Sequence, residues 1–293
     1  MARATVDADL ATDVKSAATP APRARRQSRA GRNVLRVIAV GYVGILVLVP
    51  LLLVVWRTFK PGLSEVLSSL TDPLTVHAFK LTAIIAVLAV ILNTIFGVGV
   101  GLLLARYSFP GRRLLSAFID LPIAISPIVV GLALILVYGP NGWFATPLSD
   151  ANFSIIGAIP GMVLATVFVS LPLVVREVVP VLEEAGIEQE QAAQCLGAGS
   201  FVTFRRITLP TIRWALAYGV VLSLARALGE YGAVLVVSGN IEGSTETATL
   251  RIDNLYEYSQ QTDAAYAITF VLVAVAIVAI IAITIISPKQ ESA

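Results

Sequence analysis

The sequence predicts an all-α integral membrane protein with six transmembrane helices and both termini in the cytoplasm. The chain has 293 residues, of which 57% are hydrophobic and 14% are charged. Its mean hydropathy is +0.84, which is too apolar for a soluble globular protein. The charged residues cluster between long apolar runs, which is typical of a polytopic membrane protein.

Six apolar runs are each long enough to cross a bilayer. They are predicted at Val34–Trp56, Phe79–Ala105, Leu114–Tyr138, Ile155–Val175, Trp214–Val237 and Tyr266–Ile286. Together they define a transmembrane domain over residues 34–286. Residues 1–33 are polar and rich in Ala, Thr and Arg, which predicts a disordered basic cytoplasmic tail. Residues 287–293 are predicted to form a second, short cytoplasmic tail.

The distribution of positive charge sets the orientation. Arginines fill the loop between spans two and three and the loop between spans four and five. The loop between spans three and four has no Lys or Arg, and the loop between spans five and six is acidic. Because Lys and Arg concentrate on the cytoplasmic side of membranes, the polar loop at about 186–212 is predicted to be cytoplasmic.

Glycines alternate within span two, at Gly97, Gly99 and Gly101. They do not match a nucleotide-binding fingerprint, because no strand precedes them and the spacing differs. Small residues let neighbouring membrane helices approach closely. The pattern therefore predicts close helix packing along span two.

Prolines interrupt span three at Pro122 and Pro127. One interpretation is a simple kink, since prolines are common in membrane helices. The other is a helix that stops and restarts, which would aim backbone N–H groups at a lumen. In that case Ser126 and Pro127 would lie on an anion path, with the Ser126 hydroxyl as a further donor.

Span five contains two opposite charges, Arg226 and Glu230. Four residues apart on a continuous helix, they would share one face and could pair. Unpaired charge inside a membrane is costly, so the pair could simply lock span five to its neighbours. Alternatively, Arg226 lies at or near an anion route, since a guanidinium matches oxyanions in bidentate fashion.

A polar, basic stretch, Gln191–Pro210, separates spans four and five. Glu188–Leu196 is predicted to be a short helix of good helix formers, with acidic residues at its start. Gly197 stands where a left-handed cap is expected. The pattern Ala-Ala, Gly, Ile-x-Leu-Pro resembles the EAA loop of permease subunits in bacterial ATP-binding-cassette importers. The positions that the resemblance assigns to ATPase coupling are Gln191, Ala192, Ala193, Gly197, Ile207, Leu209 and Pro210.

One position departs from the family pattern, because its leading Glu is Gln191 here. Further segments are similar to the W-type permease of sulfate/thiosulfate importers. They are Arg106–Arg112, Asp120-Leu-Pro, Ser126-Pro, Pro160-Gly-Met-Val, Arg176–Pro180, Arg213-Trp-Ala-Leu, Arg226–Val234 and Ser238-Gly-Asn-Ile. The similarity extends over about residues 34–263.

The resemblance implies a permease subunit in a bacterial inner membrane that moves sulfate or thiosulfate by alternating access. Its expected partners are an ATPase subunit dimer, a second related permease, an extracytoplasmic sulfate-binding protein and membrane lipid, with no nucleic acid. The chain has no Gly-x-x-x-x-Gly-Lys-Ser/Thr loop, so it is expected to be non-catalytic. No cofactor or metal is expected on this chain, and ATP with Mg²⁺ would bind the partner ATPase.

Three alternatives stay open at this point. Molybdate or tungstate could be the substrate of the same machine, because both are tetrahedral and doubly charged like sulfate. A stand-alone secondary transporter would need inverted repeats and enough spans to enclose a route. A membrane-embedded enzyme would need converging catalytic groups, and Arg226 with Glu230 is the sole intramembrane ionisable pair in the sequence.

Overall fold

A computed structural model describes residues 29–286 of the chain, over which thirteen α-helices and two π-helical segments form. In chain order the α-helices are α1 (Arg29–Phe59), α2 (Leu63–Thr71), α3 (Pro73–Arg106), α4 (Arg112–Ala124), α5 (Pro127–Tyr138), α6 (Ala145–Asp150), α7 (Ile159–Ala185), α8 (Glu188–Cys195), α9 (Ser200–Thr203), α10 (Leu209–Leu228), α11 (Gly232–Ser238), α12 (Ala248–Asp253) and α13 (Thr262–Ile286). The π-helical segments are π1 (Phe204–Thr208), which leads into α10, and π2 (Asn254–Tyr258), which follows α12.

The chain divides into two compact units, Met1–Leu52 and Leu53–Ala293, and the division falls inside α1. The described part of the first unit is the α1 helix as far as Leu52. All the other helices belong to the second unit. Most of residues 1–33, predicted as a tail, and all of residues 287–293 lie outside the described residues.

Five helical stretches within the described residues are long and apolar enough to cross a membrane, and a sixth is added if α4 and α5 form one bent span. This confirms the all-helical membrane class. Helices extend beyond several predicted spans. For example, α3 begins at Pro73 because Asp72 caps it, accepting a hydrogen bond from Thr75 N at 3.0 Å, with a proline at the first helical position. Helix α7 continues to Ala185, ten residues past the predicted end.

Span three is not a kinked helix. Helices α4 and α5 meet at 113°, because Ile125 and Ser126 are both extended. The residue before a proline disfavours the helical region, so Ser126 stops α4, and Pro127 starts α5. Pro122, predicted to break the span, instead lies inside α4.

Span five was predicted as one helix from Trp214 to Val237, and this is wrong. Helix α10 ends at Leu228, and α11 starts at Gly232 after an irregular segment. Glu230 lies in this segment, one residue before the N-cap Tyr231, and its Oε1 accepts a hydrogen bond from Ala233 N at 2.9 Å. The carboxylate thus caps the restarted helix, a role that a side chain within a continuous helix could not fill.

Helices α3, α7 and α10 pack together as the centre of the second unit. Glycines make the close approach: a methyl group at Gly97 would lie 2.7 Å from Val174 Cγ1, and one at Gly101 would lie 3.2 Å from Val178 Cγ1. Gly219 of α10 approaches the Cα atom of Val174 in the same way. The predicted close packing is confirmed for Gly97 and Gly101, whereas Gly99 has no described heavy atom within 4 Å of such a methyl.

A buried polar contact joins the same three helices. The side-chain amide of Asn93 on α3 donates to Ser170 Oγ on α7 at 2.7 Å and to Ser223 Oγ on α10 at 3.2 Å. All three side chains are fully buried. Because buried polar groups need partners, this contact fixes the rotation of each helix about its own axis.

Candidate functional site

The predicted docking helix is present as α8, Glu188–Cys195. It ends in a Schellman motif, in which Ala198 N donates to Ala193 O at 3.0 Å and Gly197 N donates to Gln194 O at 2.9 Å. Gly197 has φ +85°, a conformation that residues with a side chain rarely adopt. The predicted helix and its left-handed cap are therefore both observed.

The residues assigned to coupling differ in exposure. Gln191, Ala192, Gly197 and Pro210 are exposed, and Ala193, Ile207 and Leu209 are half-buried. Leu209 packs against the core cluster that includes Val178, Leu182 and Ile212, so its observed contacts are within the chain. The exposed positions remain a predicted docking surface.

Glu190, which was not among the predicted coupling residues, anchors α8. Its Oε1 lies 3.1 Å from Arg106 Nη2 and accepts a hydrogen bond from Thr208 Oγ1 at 2.8 Å. Arg106 also donates through Nη1 to Leu182 O at 2.7 Å. We call these four residues the Glu190 node; it joins α8 to the ends of α3 and α7 and to π1.

The two ends of α3 carry different charge clusters. At its start, Arg251 is buried and lies 3.5 Å from Asp72, 3.3 Å from Glu242 and 3.5 Å from Glu246. At its other end lies the Glu190 node. Since α3 is a single helix of 34 residues, the acidic loop of residues 239–247 and α8 lie at opposite ends of α3, and the predicted orientation likewise places them on opposite sides of the membrane.

The carboxyl group of Glu246 belongs to the same charge cluster. Its side chain is 1% exposed, and this burial raises the pKa of the carboxyl above its ordinary value of 4.5, against the opposing influence of Asn254 and Arg251. Asn254 donates to Glu246 Oε1 at 2.5 Å. Glu246 thus joins the 239–247 loop to Arg251 of α12 and Asn254 of π2.

Arg226 and Glu230 form an ion pair, with Nη1 2.9 Å from Oε2. They do not share one helix face as predicted, because Glu230 follows the end of α10. The Glu230 side chain is 2% exposed, whereas that of Arg226 is 36% exposed. The carboxylate is thus committed to the protein interior, and the guanidinium keeps access to the surroundings.

The breaks in spans three and five lie side by side. A methyl group at Gly232, the first residue of α11, would lie 3.2 Å from the side chains of Pro127 and Ile128, at the start of α5. Ser126, which directly precedes Pro127, is exposed. The structure therefore brings Ser126 and Pro127 next to the segment that contains Glu230. No local sequence pattern links the two breaks.

Comparisons with known proteins agree with this architecture. The family model described as "Binding-protein-dependent transport system inner membrane component" matches residues 97–292. The sulfate transport system permease protein CysW of Synechococcus elongatus is 48% identical over 225 residues, covering 77% of this chain and 79% of that protein. CysW of Escherichia coli K12 is 46% identical over 233 residues, covering 80% of each chain.

A longer relative and a solved structure extend the comparison. The protein named sulfate permease 2, chloroplastic, of Chlamydomonas reinhardtii is 47% identical over 241 residues, which cover 82% of this chain and 65% of that protein. A chain of a bacterial ABC transporter involved in the import of the acidic polysaccharide alginate superposes with a TM-score of 0.72, covering 89% of this chain and 96% of that one. At 16% identity, this likeness establishes the fold.

Proposed function

Because the chain belongs to the family of binding-protein-dependent transport system inner membrane components, we propose that it is the permease subunit of an ATP-driven importer for sulfate or thiosulfate. The chain itself is not catalytic, and a separate subunit hydrolyses ATP. The substrate follows from relatives named sulfate transport permeases that are 46–48% identical. The observation that most supports this proposal is α8, an exposed helix whose cap and placement suit docking on an ATPase.

The proposed machine contains a second related permease, an ATPase dimer and an extracytoplasmic binding protein that delivers the anion. ATP-driven closure of the ATPase dimer displaces α8, and the spans respond by opening outward. Return of the ATPase to its open form restores the inward-open state. Gln191, Ala192, Ala193 and Gly197 supply the docking surface in this scheme.

The anion route is proposed to pass the breaks in spans three and five. Arg226 supports this, because its side chain is 36% exposed and the donors of a guanidinium match the oxygens of an oxyanion. The adjacent start of α5, after Ser126 and Pro127, adds the backbone N–H of Ile128, the first such group of the restarted helix. Glu230 orients Arg226 and keeps its own charge buried.

Radiolabelled sulfate uptake tests the proposal. Uptake is measured in cells lacking this chain, with and without its restoration, and with excess unlabelled molybdate as competitor. We expect uptake to return with the chain and to resist molybdate. Uptake that never depends on the chain would remove sulfate as the substrate, and uptake abolished by molybdate would favour the molybdate or tungstate importer of the same architecture.

A further inference from the structure

Helix α8 is poorly held by apolar contacts. None of its residues, all of which the structure describes, is buried. It is joined to α7 by Gly186 and Ile187 and to α9 by a short segment that begins with Leu196. A helix that is to pass a displacement to the membrane spans needs a firmer attachment than two short connections.

The Glu190 node provides that attachment. One atom, Glu190 Oε1, contacts both Arg106 Nη2 at 3.1 Å and Thr208 Oγ1 at 2.8 Å. The side chains of Arg106 and Glu190 are only 11% and 17% exposed, so solvent and salt screen the ion pair less than at the surface. Charge-assisted hydrogen bonds of this kind are the strong ones in proteins.

The elements that meet at the node are the ones that form the packed centre. Arg106 is the last residue of α3, and its Nη1 reaches the Leu182 carbonyl of α7 at 2.7 Å. Thr208 ends π1 and directly precedes α10. Helices α3, α7 and α10 are also those joined by Asn93, Ser170 and Ser223, so a force on Glu190 reaches all three at once.

A second ion pair near the same end of the molecule provides a comparison. Arg112 Nη2 lies 2.6 Å from Glu183 Oε1, but these side chains are 42% and 49% exposed. Pairs of this kind contribute little, because water and salt screen them. The shorter distance alone would make the Arg112–Glu183 pair the stronger attachment. Its exposure and the smaller number of elements that it joins make it a weaker attachment than the Glu190 node.

We propose that Glu190 is the positioning residue that transmits movement of α8 to the membrane spans, acting through Arg106 and Thr208. This rests on the proposed function, in which α8 docks on the ATPase. Gln191, at the family's leading Glu position, is exposed and is left free to face the partner. The chain thus uses neighbouring residues for attachment within the subunit and for docking outside it.

The first test measures attachment and needs no substrate. Cys195 is the single cysteine of the chain and is exposed on α8; Tyr107→Cys adds a second label beside the end of α3. In the assembled complex with its ATPase, the distribution of distances between two spin labels should be narrow. It should broaden in Glu190→Ala and in Arg106→Ala, and stay narrow in the control Arg112→Ala. Equal widths in all four proteins would overturn the proposal.

The second test measures coupling in proteoliposomes as sulfate taken up per ATP hydrolysed. Glu190→Ala and Arg106→Ala should each lower this ratio about tenfold or more, because each leaves a partly buried charge without its partner. The double variant should be no worse than either single one, since the two residues act as a unit. Arg112→Ala and Glu183→Ala should change the ratio less than about twofold.

The two tests separate the failures. If the unmodified complex takes up no sulfate but the label distances broaden as expected, the substrate is wrong and the attachment stands. If uptake is normal in Glu190→Ala and the distances stay narrow, the attachment is wrong and the importer stands. If the variants that remove a charge fail to assemble, Thr208→Val provides the test, because it removes one hydrogen bond and keeps the ion pair. It is expected to give an intermediate ratio of sulfate uptake to ATP hydrolysis.

Discussion

The packing of α3 on α7 yields a sharp prediction from two glycines on one helix. A methyl group at Gly97 would lie 2.7 Å from Val174 Cγ1 and 2.9 Å from Val174 Cβ. The second distance matters most, because Cβ is fixed to the α7 backbone and rotation of the side chain does not move it away. At Gly99, two residues further on, the same methyl would meet no described heavy atom within 4 Å.

The expected magnitudes follow from two opposing effects. Replacing Gly by Ala inside a helix favours the helix by about 1 kcal/mol at either position. At Gly97 the added methyl overpacks the contact with α7, which costs about 1–3 kcal/mol. Gly97→Ala is therefore expected to change stability by between roughly 0 and 2 kcal/mol in the unfavourable direction, and Gly99→Ala by about 1 kcal/mol in the favourable one.

The assay is unfolding of the purified subunit in mixed micelles with increasing SDS, followed by circular dichroism. The expected order of stability is Gly99→Ala, then the unmodified chain, then Gly97→Ala. Val174→Ala leaves a cavity in the core and is destabilising by itself, but the double variant with Gly97→Ala should be less destabilised than the sum of the two single changes, by about 0.5–3 kcal/mol. Equal stability of the two alanine variants would refute the close approach of α3 to α7.

Three further outcomes are expected. Gly197→Ala forces a side chain into a left-handed conformation at a cost of about 1–2 kcal/mol, so it should lower sulfate uptake per ATP hydrolysed. The control is Gly199→Ala, which should not lower this ratio because Gly199 has an ordinary φ of −69°. Equal ratios in the two variants would exclude a role for the cap. Arg226→Ala leaves the buried Glu230 carboxylate without its cation and should lower stability by about 1–3 kcal/mol. Adding Glu230→Gln should restore most of this stability, because Gln still accepts a hydrogen bond from Ala233 N. If SDS unfolding shows no recovery in the double variant, the ion pair is not structural. Because the pKa of Glu246 is raised, the folded state binds this proton more tightly; the resulting stability is complete below pH 4.5 and is lost as the pH rises through the pKa of the folded state. Glu246→Gln should flatten this part of the pH profile of unfolding. An unchanged profile would assign the pH dependence to another group.

Local chemistry was sufficient to predict some parts of this molecule. The residues of α8 are good helix formers, and the glycine that follows is the residue type that a left-handed cap requires, so its helix and cap follow from a window of ten residues. The contact face of α3 was predicted in the same way, although the sequence could not say that Gly99 points away from α7.

Other parts depend on partners that are distant in the sequence. Arg106 and Glu190 are 84 residues apart, and no local pattern links them. The break after α10 was missed because apolar residues continue on both sides of Glu230, and hydropathy is insensitive to a backbone that stops and restarts. The bend at Ser126 was one of two open interpretations, since a proline alone permits either a kink or a break.

The attachment of α3 at both ends has a consequence for the lipid bilayer. At 34 residues and about 1.5 Å per residue, α3 is about 51 Å long, whereas the hydrocarbon core of a bilayer is about 30 Å thick. Membranes of different thickness are accommodated by changes in helix tilt. Since Asp72 ties one end of α3 to Arg251 and Arg106 ties the other to Glu190, a change in tilt displaces the extracytoplasmic loop and α8 together. We therefore expect the acyl-chain length of the surrounding membrane to affect the positions of both the 239–247 loop and α8.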